Sequence, residues 1–160
     1  MLVNFNYNRY MRKNVLKYSI ISLFIVFFDQ VLKIIASTNM IDEICVIKNF
    51  LYLVFTINNG AAFSILQGKL WFLIVISLIM LIYLIIESLK YIKNNNKRVC
   101  LPLSFIIGGL IGNLIDRIYF GYVRDFISFQ IGSYNAPIFN VADIFLVFGA
   151  IYLVYEISKG

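Results

Sequence analysis

At 160 residues the chain has room for one domain. It is 61% hydrophobic and only 14% charged, with a mean hydropathy of +0.86; soluble domains are nearer half apolar and a quarter charged, so a water-soluble globule is excluded. The net charge of +6 does not point to nucleic acid, because the basic residues fall between apolar runs, where they set membrane topology.

Residues 1–17 are polar and basic (Arg9, Arg12, Lys13, Lys17) and read as a loose tail. Apolar segments follow at 18–36, 70–86, 99–116 and 138–155. Each approaches the roughly 20 residues that cross a bilayer as a helix. The first is longer than the apolar region of a cleaved leader and no A-x-A-like site follows, so it reads as a retained span. The expected fold is an all-α integral membrane protein, one membrane-embedded domain over 1–160 built as a four-transmembrane-helix bundle. Four basic residues lie in the tail and four more at Lys90, Lys93, Lys97 and Arg98, which puts both termini in the cytoplasm.

The loops on the other side are more than linkers. Ile44 to Ile57 is rich in strand formers and ends at a turn signal, Asn58-Asn59-Gly60. Val123, Asp125, Ile127, Phe129 and Ile131 alternate with Arg124, Phe126, Ser128 and Gln130, a period of two that predicts a half-buried strand before a turn at Gly132 to Asn135. A small extracytoplasmic β-sheet with a hairpin-like loop is therefore expected on the outer membrane surface. On the third helix, Gly108 and Gly112 permit close helix contact.

Topology then gathers the polar residues at one level. Asp29 lies roughly 18 Å beyond Lys17 along the first helix, past the midplane, with Lys33 one turn further on the same face. The third span ends at Asn113, Asp116 and Arg117, the fourth carries Asn140 and Asp143 in its first turns, and the outer loops add Asn58, Asn59 and Asp125. Ionisable groups at membrane depth are functional candidates by default. Structural roles compete for several of them. Asp29 and Lys33 suit an ion pair fixing helix depth, and Asp116 with Arg117 suits a polar network ending the helix. Arg124 suits a membrane flank or a lipid phosphate contact, Asn140 suits a helix cap, and Asp42 with Glu43 suits a solvated loop. Asp125 and Asp143 have no cation at helical spacing.

The residue types narrow the chemistry. Histidine is absent, which removes the usual general base and the commonest metal ligand. Cys45 and Cys100 have no metal-type spacing, so neither metal nor cofactor is read. Ser64 or Ser128 with Lys33 or Lys69 would need a depressed lysine pKa and is a weak candidate. Two carboxylates held close remain: one retains a proton near neutral pH, while the other deprotonates water for attack on a peptide carbonyl. Spacing alone does not choose the pair among Asp29, Asp116, Asp125 and Asp143.

Five blocks in order carry a family resemblance. They are Asp29-Gln30-Val31-Leu32-Lys33, Asn58 to Ser64, Gly108 to Arg117, Gly121 to Phe126, and Phe139-Asn140-Val141-Ala142-Asp143. Over essentially its whole length the chain resembles the lipoprotein signal peptidase (signal peptidase II) family. The resemblance implies an aspartic endopeptidase of the bacterial inner membrane; a monomer without cofactor or metal is expected. It would remove signal peptides from diacylglyceryl-modified prolipoproteins, cutting before the lipidated cysteine near the outer leaflet. By matching positions, Asp125 and Asp143 resemble the catalytic pair, and Asn58, Gly60, Asn113, Asp116, Arg117 and Asn140 the residues that shape the substrate pocket. Asp29 and Lys33 match the first-helix polar motif. Leu32 departs from a position where a small polar residue is frequent, and Arg124 from one where an apolar residue is more usual. The partners implied are lipid-modified prolipoproteins and membrane lipid. The alternative is a small proton-coupled transporter or channel subunit, which would space ionisable groups through the bilayer depth. A non-catalytic assembly subunit rests only on small size and the paired glycines.

Overall fold

The computed structural model describes residues 2–40, 42–60, 66–132 and 134–159. Four helices long and apolar enough to cross a membrane dominate it: α1 (Leu2–Asn39), α2 (Leu70–Lys93), α3 (Lys97–Phe120) and α4 (Val141–Ser158). Their outward faces carry large exposed apolar side chains such as Phe27, Trp71, Val147 and Ile151. That much bare hydrocarbon is tolerable only against lipid. The expected spans are all present: α1, α2 and α3 are extended at one or both ends, and α4 begins and ends three residues later than expected.

The largest departure from expectation is at the start of the chain. Instead of a loose tail, α1 runs unbroken from Leu2, 38 residues in all. At 1.5 Å per residue this is about 57 Å, nearly twice the hydrocarbon thickness. Neither glycine nor proline interrupts residues 1–39, and the extension is docked. Met11 and Val15 pack on the cluster of Tyr18, Ile92 and Cys100, and the Tyr10 hydroxyl donates to Asn95 Oδ1 at 2.6 Å in the α2–α3 turn.

α3 is the hub against which the other three helices pack. Gly112 makes that possible opposite α1, because a Cβ there would lie 2.7 Å from Asp29 Oδ2. Gly108 serves the same purpose beside Ile25. The expected close face is thus used between α1 and α3.

Between α1 and α2 the strands β1 (Ile44–Ile47) and β2 (Leu51–Asn58) form a hairpin. β3 (Val123–Ile131) and the short β4 (Tyr134–Asn135) complete an antiparallel sheet in the order β1-β2-β3-β4. It closes the end of the bundle where α1 and α3 finish and α4 begins. β3 is a strand as its alternation predicts, but its first four residues are buried on both faces rather than one. The physical reason is that Arg124 and Phe126 face buried groups of their own: the charged ends of α1 and α3, and Ala36 with Val141.

Candidate active site at the sheet end of the bundle

Each element delivers one part of the polar cluster. Thr56 of β2 stands opposite Asp125 of β3, so Asn58, two residues on, shares its face. Asn58 Nδ2 accordingly donates to Asp125 Oδ2 at 2.9 Å. An isolated bridge between Ile127 and Phe139 draws the chain back along β3 and brings Asn140 beside Asp125.

Asn140 then does two jobs. Its Oδ1 accepts from the Asp143 backbone N–H at 3.0 Å, while its own N–H donates to Asp143 Oδ2 at 3.2 Å, a capping box that starts α4. Its Nδ2 donates to Asp125 Oδ1 at 2.6 Å and to Asn113 Oδ1 at 3.1 Å. Asn113 Nδ2 in turn donates to Asp143 Oδ1 at 2.7 Å. Asp125 and Asp143, from different elements, are therefore joined through one residue. The cap expected of Asn140 is present and is also the link between the carboxylates.

Gly60 and Arg117 close the circuit. Arg117 Nη2 donates to the Gly60 carbonyl at 3.1 Å, and the Gly60 N–H donates to Asn58 Oδ1 at 2.9 Å. Asn58, Asn113, Arg117 and Asp143 line one end of a groove of about 720 Å³. Its remaining wall is apolar and runs along α4 past Ile144, Val147 and Ile151. Asp143 faces this groove, whereas Asp125 is only 2% exposed. Burial pushes the Asp125 carboxyl up to about 6; hydrogen bonds from Asn58 and Asn140 oppose the rise and the nearby Asp143 charge adds to it.

Beneath lies a second, wholly buried cluster. Lys33 Nζ is 2.9 Å from Asp29 Oδ2 and 3.4 Å from Asp116 Oδ2, and it donates to Asn113 Oδ1 at 2.9 Å. Asp29 Oδ1 accepts from the Ala142 N–H at 2.9 Å, fastening α1 to the start of α4. Arg124 embraces Asp116 with its backbone N–H (2.9 Å), Nε (3.2 Å) and Nη2 (2.7 Å). Its Nη2 also donates to Gln30 Oε1 at 2.9 Å, and its guanidinium lies over the Phe120 ring. Two acids thus face two cations, and the buried charge sums to zero.

Three expectations change here. Asp116 is paired, but with Arg124 and Lys33. Arg117 turns instead toward Gly60 and the groove. Arg124 does not flank the membrane or reach lipid; at 4% exposed it is interior, because Asp116 offers it two oxygens inside the protein. Asn59 is exposed and stands outside the cluster, as do Asp42 and Glu43. Ala61 to Ser64 lie outside the described residues. Lys69 is exposed, and Lys33 is fully engaged with Asp29, Asp116 and Asn113. Gln30 received no separate role from the sequence, although an amide beside Asp29 within an apolar span was the available signal.

Three comparisons bear on the site. A family model described as "Signal peptidase (SPase) II" matches residues 21–159. A lipoprotein signal peptidase from Caldanaerobacter subterraneus subsp. tengcongensis is 44% identical over 144 residues, which are 88% of this chain and 96% of that protein. Two solved structures described as a bacterial membrane enzyme, at 2.3 Å and 1.9 Å resolution, superpose with TM-scores of 0.79 and 0.76. Both are 37% identical to this chain; they cover 89% and 88% of it and are themselves covered over 88% and 92%.

Proposed function

The chain belongs to the signal peptidase II family, and from that premise we propose that it is an aspartic endopeptidase that cuts signal peptides from lipid-modified prolipoproteins, with Asp125 and Asp143 as its catalytic pair. The observation that carries this reading is Asn140, which holds one carboxylate by its amide and the other by its cap at the end of a groove. A transporter reading has no such support: the buried acids and cations gather at the sheet end with Arg117 and Asp143, and the other charges of the helices lie at the opposite end instead of stepping through the bilayer.

In the proposed reaction Asp143, facing the groove, takes a proton from water as the oxygen attacks the scissile carbonyl. Asp125, pushed up to about 6, donates its proton to the carbonyl oxygen and yields a neutral tetrahedral diol. Asp143 then passes its proton to the leaving nitrogen while Asp125 recovers one from the diol, and the C–N bond breaks. The titration belongs to the pair. Arg117, Asn58 and Gly60 shape the polar end of the groove. The apolar wall of α4 suits a signal helix or acyl chain arriving sideways from the bilayer, so the partners are prolipoprotein and lipid, and a single copy suffices. We place the protein in the bacterial inner membrane, both termini cytoplasmic and the site near the outer leaflet.

The test is incubation of purified protein with a diacylglyceryl-modified precursor, the cut mapped by mass spectrometry. Cleavage before the lipidated cysteine is expected, and Asp125→Asn or Asp143→Asn lowers the rate by at least about 100-fold. Asp42→Asn, in the exposed loop, leaves it unchanged. Normal cleavage by either dyad variant ends the assignment.

A further inference from the structure

Far from the carboxylates, a crevice of about 380 Å³ opens between α1 and α2 with α3 as its floor. Val15, Ser19 and Leu23 form one wall, Ile85 and Leu89 the other, and Ile107 the floor. Two of the hydroxyls that reach it are already satisfied internally: Ser22 donates to the Tyr18 and Ser104 carbonyls, and Ser104 to the Leu101 carbonyl. Those groups seek no partner, and the crevice presents a mainly apolar surface suited to a hydrocarbon chain.

Two cations stand one helical turn beyond its lining residues. Arg12 lies one turn before Val15 on the same face of α1, and Lys93 one turn after Leu89 on α2. Both are exposed, and among the described residues neither enters an ion pair, whereas nearby Lys90 is held by Glu87 at 2.6 Å. An apolar slot with two free cations at its polar end is complementary to an acyl chain bearing a negative headgroup. Arg12, Val15 and Ser19 all precede residues 21–159, the segment the family model matches. The docked helical extension supplies the end of this wall, Arg12 and Val15.

We infer that the crevice binds one anionic glycerophospholipid, an acyl chain between α1 and α2 and its phosphate between Arg12 and Lys93. The site is independent of the peptidase chemistry, since none of its residues touches the carboxylate cluster. Native mass spectrometry of the full chain in mixed micelles, titrated with dioleoylphosphatidylglycerol or dioleoylphosphatidylcholine, tests it. One tightly held phosphatidylglycerol per chain is expected. At roughly 1 kcal/mol per basic residue, Arg12→Gln/Lys93→Gln weakens it roughly thirty-fold, to the level of phosphatidylcholine. Ser19→Phe, which fills the slot and keeps both charges, displaces it as well. Cleavage of precursor by the double variant stays at the wild-type rate. Equal retention of the two lipids by the wild-type protein, or undiminished phosphatidylglycerol binding in the double variant, overturns the inference.

Discussion

Arg124 brings a full charge to a position that is 4% exposed, and the reason it is tolerated is Asp116. Burying one ion alone costs several kcal/mol, while removing one partner of a buried pair leaves the other uncompensated. Arg124→Leu should therefore destabilise by about 3–5 kcal/mol, and the double variant with Asp116→Asn should recover part of that loss. Thermal unfolding of the single and double variants in one detergent measures it; additive losses would mean the pair is not coupled. Asp125 gives the opposite case. Its carboxyl is raised, so the folded protein binds that proton more tightly than the unfolded chain, and stability on this account falls as pH rises through about 6. Asp125→Asn carries no such penalty. At pH 8 it should be more stable than wild type by about 2 kcal/mol, the shift less one impaired hydrogen bond. The advantage should vanish by pH 4. For the wild type, kcat/KM on a precursor should decline on the alkaline side from about pH 6. The candidate acids were all legible as residues, because a carboxylate beside an apolar run is conspicuous. Their partners were not: Arg117 follows Asp116 in sequence yet points away, and Arg124 reaches it from the next strand.

The start of α4 shows how an element boundary becomes part of the site. Asn140 satisfies an orphan helix N–H and in the same posture offers its amide to Asp125. Asn140→Ser separates the two tasks, since serine caps nearly as well but has no N–H₂ to reach across. Stability should fall by about 1–2 kcal/mol, from the buried carboxylate oxygen left unmatched, while cleavage falls at least tenfold, and Asn140→Ala should lose about a further 1 kcal/mol of stability. Parallel melting and kinetic measurements decide it; equal damage to both quantities in the serine variant would make Asn140 only a cap. Strand β3 was readable from its period of two, and the four spans from their length. The pairing of β2 with β3 was not, because Asn58 and Asp125 are separated by all of α2 and α3 and only the register with Thr56 aligns them. The loose tail failed for a related reason. A polar, basic stretch reads as loose by composition, and its docking partners, Asn95 and Ile92, lie more than a helix away in the chain.

Across the whole molecule charge is divided between two ends. At the end where α2 turns into α3, the basic side chains Arg12, Lys13, Lys17, Lys93, Lys97 and Arg98 are all exposed. At the sheet end, Lys33 and Arg124 are buried against acids, so the accessible positive charge is much thinner there. On the positive-inside rule we propose that the first end faces the cytoplasm and that the sheet, with the groove, faces the opposite side. The chain carries its own reporters of this arrangement. Cys45 is exposed on β1 at the sheet end, while Cys100 is buried near the other end behind Tyr18 and Ile92. A membrane-impermeant maleimide added to intact spheroplasts should therefore label the protein on Cys45. Cys45→Ser should abolish labelling, and Cys100→Ser should leave it unchanged. Labelling of Cys45 only after the membrane is permeabilised would invert the molecule. It would also put the carboxylates on the side from which a secreted precursor's cleavage site has already departed, so orientation and proposed chemistry stand or fall together on one thiol.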